Sequence, residues 1–362
     1  MGVVLGTFTG IMPGIHVNTL GEIWKGNPVT LFSMGLTHTF LDVVPTTFLG
    51  VPDEGTALSV LPAHRLAQRG RAMEVVRIAL WASAMAVLLS FPLSIFYVKL
   101  ATHYSPWIGR VAVGILVVLL VVFSGKNWPR TLLIIVLSGL LGLVVFSLPL
   151  THQYYLLFTG LFGIPSVVGG IRGEAPYGED ASIRMRTTSF LVYSSLGTLV
   201  GMAASLLPAF TPSQGAVLVS FLSREERPFL VALFSINTSN FMFSFFNYLA
   251  TGRVRNGIVA RMPPLSWSAV HFYLVLSLSL SILILLYGEH LSLFLLRLLG
   301  RIPYAHLNGV VLLFLLILAL FFDGVLGVFV LLSSALLGIF SLLIGAPRRA
   351  CMGVLMVPLL VG

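Results

Sequence analysis

The stretch TLLIIVLSGLLGLVVFSLPLTHQYYLLFTGLFGIPSVVGG, residues 131–170, runs for 40 residues without Asp, Glu, Lys or Arg. A helix needs about 20 apolar residues to cross a bilayer, so this run is long enough to cross twice. The Pro149–His152 segment near its middle supplies the break. Working outward, the whole chain of 362 residues has the same character. Hydrophobic types make up 57% and charged types 9%, with 21 basic and 12 acidic residues. Soluble domains carry about 25% charged residues, so this chain cannot coat a water-exposed surface of its size. A soluble enzyme, a disordered chain and a disulfide-stapled domain are excluded, the last because Cys351 stands alone. Strands of a membrane barrel alternate polar and apolar residues, and these runs do not. The fold class is therefore an all-α polytopic membrane protein, with a multi-pass location in the cell membrane.

Further uncharged runs lie at 79–98, 111–125, 187–206, 228–252, 262–288, 302–322 and 324–347. With an early span that continues past Asp42, they predict about ten transmembrane helices. The loops between them are short, so any chemistry happens within the bilayer or at its edge. The net charge of +9 reads as Arg and Lys anchoring loops at the cytoplasmic face, and it suits an anionic ligand better than a cationic one. No positively charged region precedes the first apolar stretch, so no cleavable signal peptide is read. The abrupt start leaves room for a preceding helix.

Two segments resemble each other at an offset of 195 positions: Gly6–Asn18, containing Pro13-Gly14, and Gly201–Ser213, containing Pro208. The same offset sets Asp42 against Asn237. A second likeness, Leu61–Gly70 against Tyr248–Gly257, implies about eight extra residues in the first copy, around Val51–Leu58. The chain thus divides into a first membrane repeat (1–150), a second (151–265) and additional C-terminal helices (266–362). Whether the repeats are inverted is open. In each copy a hydrophobic helix meets Pro, small and polar residues follow, and the helix resumes. Broken backbone in a membrane is tolerated where protein or a water-filled cavity satisfies its polar groups, and paired breaks point to a transport site.

The polar residues inside the spans fill in that site. Gly14 permits unusual backbone angles and close approach of a ligand. A half-helix starting near His16, Asn18 and Thr19 would aim free N–H groups at an anion, and His16 could shuttle a proton. His38 and Asp42 are spaced i,i+4, as neighbours on one helix face. An intramembrane carboxylate marks a functional position, so this pair is expected to hold a coupling ion or proton. Val51–Thr56, with Asp53, Glu54 and Thr56, reads either as a re-entrant tip or as a loop. In the second half, Thr211, Ser213 and Gln214 follow the break. Ser235, Asn237, Thr238, Ser239, Asn240, Ser244 and Asn247 place seven hydrogen-bonding side chains within thirteen residues of one span, which suggests a ligand-lined face. Arg65 and Arg253 each follow one repeat unit. They read as anchors or as groups that attract an anion. Asp323, beside Gly324, reads as a turn between two spans.

Three signatures now coincide. Gly10-Ile-Met-Pro13-Gly14 resembles the glycine-proline-glycine signature of the large membrane subunit of tripartite tricarboxylate transporters, the TctA-type permease. Val51–Gly70 is similar to that family's proline-glycine loop ending in a basic-glycine pair, and Gly160-Leu-Phe-Gly-Ile-Pro165 to its segment before the second half. The resemblance runs from about Gly6 to Ala260; beyond it only hydrophobicity matches. It implies a secondary carrier for small organic anions, driven by an ion gradient and working with a small membrane subunit and an extracytoplasmic binding protein. The chain has Pro52-Asp53 where the family has proline-glycine, and Ala63-His64 where it has aspartate-glycine, which implies a diverged branch, one that could work without the binding protein.

A second class, a translocase for polyprenyl-phosphate lipid carriers, also shows a Pro-Gly motif near its first helix and predicts Arg65 or Arg253 near a lipid phosphate. Neither class needs a cofactor beyond Na⁺ as a coupling ion, and neither calls for nucleic acid. An enzyme is not expected. The sequence has no Gly-x-Ser-x-Gly or His-Glu-x-x-His motif and no cysteine pair, and His38–Asp42 alone does not make a metal site.

Overall fold

The computed structural model describes residues 1–362 apart from 22–23, 25, 104–105, 171–174, 208–210, 224 and 255. Pro208 and Arg255 lie outside the described residues. Among those described there are helices and no strands. Six helical stretches are long and apolar enough to cross a membrane: Val60–Thr102, Gly125–Ser147, Thr187–Leu206, Glu226–Thr251, Trp267–Leu299 and Tyr304–Leu343. Gly2–Ile11, Trp107–Val122 and Pro212–Leu222 are shorter apolar helices.

The first half begins with α1 (Gly2–Ile11), which stops short of Pro13-Gly14, where Gly14 takes a φ of +79°. The helix resumes as α2 (Val17–Gly21). Next come α3 (Pro28–Leu41), capped at its start by the Asn27 side chain, and α4 (Val43–Phe48), separated only by Asp42. After a buried loop, α5 (Val60–Leu66) turns at Gly70 into α6 (Ala72–Thr102). Then follow α7 (Pro106–Val122) and α8 (Trp128–Ser147).

The 131–170 run breaks after α8 and resumes as α9 (Gln153–Phe158) and α10 (Ile164–Gly170). The second half continues with α11 (Thr187–Leu206), α12 (Pro212–Leu222) and α13 (Glu226–Thr251). The last part holds α14 (Val270–Leu299), α15 (Tyr304–Leu343) and α16 (Gly353–Val361). At Asp323–Gly324 the chain leaves helical angles, and Gly327 packs back on the carbonyl of Ala319. α15 is therefore a hairpin with two legs of about 20 residues, each long enough to span.

Small residues set the helix spacing, as they do where lipid offers no hydrophobic drive between helices. Gly2 and Gly6 of α1 lie against the α3 backbone at Thr30 and Met34. Gly197 and Gly201 of α11 lie against the α13 backbone at Ala232 and Ile236. A Cβ at any of these glycines would collide with a carbonyl oxygen.

The polarity runs from inside to outside. The most apolar stretch of α13 is wholly buried, although this helix carries the Asn and Ser series, whereas only 17% of that of α15 is buried. The polar helix occupies the centre and the apolar ones face lipid, which matches a helix buried on all sides with a solvent that is hydrocarbon.

Candidate functional site

Both breaks lead to the same place. Two adjoining cavities, of about 110 and 240 Å³, share His16, Asn18, His38, Asp42, Asp53, Glu54 and Tyr154 as walls. Gly14 and Thr19 line the smaller one, which is otherwise mainly apolar. Thr211, Asn237 and Asn240 line the larger one together with Asn256 and Gly257. Seven of the residues expected to hold substrate or coupling ion thus face the larger cavity: His16, Asn18, His38, Asp42, Thr211, Asn237 and Asn240.

The loop at Val51–Thr56 is the centre of the arrangement. Asp53 is held on several sides. Its N–H donates to Thr56 Oγ1 (2.9 Å), its Oδ1 accepts from the Glu54 N–H (2.6 Å), and its Oδ2 lies 2.7 Å from His38 Nε2 and 3.5 Å from His16 Nε2. Thr56 in turn contacts Thr46 Oγ1 at 2.9 Å, so it anchors the loop without lining either cavity. The tip is not a water-exposed loop: Val51, Pro52, Gly55 and Thr56 are buried.

The expected His38–Asp42 pair does not form between side chains. His38 turns to Thr9 and Asp53, and Asp42 turns to the second half, where Asn237 Nδ2 donates to Asp42 Oδ2 at 2.6 Å. The backbone keeps the i,i+4 register, the Asp42 N–H donating to the His38 carbonyl at 3.0 Å, but each side chain finds its partner on another segment. Asp42 Oδ1 and Asn18 Oδ1 are buried acceptors without a partner.

Two glycine tips cross the midline. A Cβ at Gly55 would strike the Asn237 amide of the second half, and one at Gly257 would strike the Asn18 amide of the first. Both tips approach a cavity-lining amide where only hydrogen fits.

Other expected residues sit elsewhere. Gln214 forms a capping box with Thr211, its Oε1 accepting the Thr211 N–H at 2.9 Å, and Ser213 Oγ donates to the Glu54 carbonyl; both side chains are buried away from the cavities. Arg65 is exposed and lies 3.4 Å from Glu226, and Arg253 is exposed; neither lines a cavity. These chains are held at the surface by length and hydration, as anchoring arginines are. Among the described residues no Lys or Arg lines either cavity, whereas Asp42, Asp53 and Glu54 do. The sequence reading left Asp53 and Glu54 between tip and loop. The apolar flanks of that acidic pair were the available signal. Tyr154 and Asn256 gave none.

The tripartite tricarboxylate transporter TctA family model matches residues 1–353. The chain belongs to the TctA family. The match runs well past Ala260, so the C-terminal helices belong to the family unit too. The chain is accordingly a multi-pass membrane protein and a component of a transporter. Its sequence is 28% identical, over 85% of its length and 82% of the other chain, to the uncharacterized protein MJ1079 of Methanocaldococcus jannaschii. No solved structure matches it.

Proposed function

We propose that this TctA-family protein is the membrane subunit of a secondary carrier that moves a small, carboxylate-like organic anion across the cell membrane, coupled to Na⁺ or H⁺. The observation that carries this reading is the shared cavity: Asn18, after the first break, and Thr211, Asn237 and Asn240, around and beyond the second, line one space. Residues 1–150 and 151–265 act as the two halves that rock about it. The Asp42–Asn237 bond and the two crossing glycines are contacts that such a motion remakes.

Electrostatics shapes the coupling. Three carboxylates face the cavity, and no described Lys or Arg lines it. A carboxylate substrate therefore enters with cations, either protons on these acids or Na⁺ among the unpartnered oxygens. Membership of the tripartite family supports a small membrane subunit and an extracytoplasmic binding protein as partners that bring the anion to a cavity this chain builds by itself. The lipid-phosphate reading loses support because Arg65 and Arg253, the groups it called on, lie away from the cavity.

The test is uptake by the purified protein in proteoliposomes, using labelled citrate, other carboxylates and inorganic phosphate, under imposed Na⁺ or pH gradients. Gradient-dependent accumulation of a carboxylate supports the proposal. Transfer of a polyprenyl phosphate between leaflets, with no carboxylate uptake, replaces it with the lipid reading.

A further inference from the structure

His38, Asp53 and His16 bring their ligating atoms within 4.8 Å of one another. The hydrogen bonds around them decide what fits between. The Thr9 hydroxyl lies 3.2 Å from the Gly6 carbonyl, to which it can donate, and 3.1 Å from His38 Nδ1. With the hydroxyl proton on Gly6, His38 carries its proton on Nδ1, and a neutral ring then has only a lone pair on Nε2. Nε2 faces Asp53 Oδ2, another acceptor, at 2.7 Å. Two acceptors at that distance repel unless a cation bridges them. Two ligands of one zinc-like ion at its usual bond lengths stand about 3.3 Å apart, whereas 2.7 Å is a charge-assisted hydrogen bond.

We infer that His38 Nε2 and Asp53 Oδ2 bind one proton between them in the resting protein, and that this proton is the coupling ion of the carrier. The second half of the inference rests on the carrier reading; the first does not. His16 completes the arrangement. Its Nδ1 accepts the Asn18 N–H at 3.1 Å, so a neutral ring presents Nε2–H to the same Asp53 oxygen, 3.5 Å away. Loss of the bridging proton leaves His16 as the side chain still facing Asp53 Oδ2 with a proton, and ties proton release to the Asn18 segment that lines the substrate cavity. The other titratable and charged groups facing this pair are Asp42 at the end of α3, Glu54 beside it in the loop, His152, Tyr154 and Tyr155 at the start of α9, and Arg261, which acts on His16 through space. The chemistry is a proton transfer only: the proton leaves Nε2 for water in the cavity, and the pair returns to imidazole and carboxylate.

Nitrogen NMR of the full chain in nanodiscs, labelled at histidine nitrogen and assigned with His38→Gln, reads the site directly at pH 7. The expected spectrum shows both His38 ring nitrogens protonated in the wild type. In Asp53→Asn the Nε2 proton is lost and the Nδ1 proton kept. A wild-type His38 with a bare Nε2, or with Nε2–H and a bare Nδ1, overturns the inference. So does one equivalent of tightly bound divalent metal that His38→Gln abolishes. Citrate uptake under a pH gradient, measured on the same preparations, separates the two layers. A doubly protonated His38 without any carboxylate uptake defeats the carrier reading and leaves the proton site standing. Uptake driven by Na⁺ alone, with His38 singly protonated, does the reverse.

Discussion

Asp42 gives one carboxylate oxygen to the Asn237 amide and keeps the other buried without a partner. Asp42→Asn retains an oxygen for Asn237 but removes the charge. Gradient-driven uptake should fall tenfold or more while citrate affinity changes by less than threefold. Equal uptake by wild type and variant removes Asp42 from the mechanism. Gly55 makes a steric prediction. Gly55→Ala should displace Asn237, and Gly257→Ala should displace Asn18, because each new Cβ lands on the amide. Each should lower citrate affinity in a thermal-shift titration, with unchanged affinity in both excluding the crossing tips from the site. At this scale the sequence was only partly legible. The i,i+4 rule brought His38 and Asp42 together on paper, because sequence spacing says nothing of the partners, Asp53 and Asn237, that other segments bring to each side chain. The adjacent acids Asp53 and Glu54 looked as natural in water as in a cavity, since burial of a loop is decided by the elements that close over it.

Among the elements, the break at Pro13-Gly14 was legible because Pro and Gly act locally on the backbone. The break at Pro149–His152 was legible for the same reason, but its support was not. Asp323, read as a turn residue, reaches the Thr151 N–H at 2.6 Å and the His152 N–H at 3.1 Å, and so caps α9 from the bend of the α15 hairpin. Asp323→Ala should cost about 1–2 kcal/mol, read as a lower thermal midpoint. An unchanged midpoint would show the cap to be idle. A stronger brace joins the start of α6 to α13. The fully buried Glu74 accepts from Arg71 Nε at 2.6 Å, from Arg227 Nε at 2.7 Å and from the Arg184 N–H at 2.7 Å. Removing one partner of a buried pair costs about 3–5 kcal/mol, so Glu74→Ala should abolish a well-defined unfolding transition or lower it sharply. A shift within error would refute the brace. Nothing in the sequence singled out Glu74, because its partners are up to 153 residues away.

For the whole molecule, the class was legible from composition, since 9% charge leaves no alternative to lipid as solvent. What composition concealed is the arrangement. Polar α13 lies at the centre, the apolar hairpin of α15 at the rim, and two interrupted helices converge on one acidic cavity. Such an arrangement predicts that an anion binds only together with cations. Citrate affinity should rise as pH falls or as Na⁺ is added, and salt-independent binding would contradict it. The claim on which everything turns is that both halves build a single binding space. Citrate affinity of purified Asn18→Ala and Asn237→Ala, each measured by thermal-shift titration beside the wild type, tests it most directly. Both variants should lose at least tenfold in affinity, with unliganded midpoints close to that of the wild type. Wild-type affinity in either variant would contradict it.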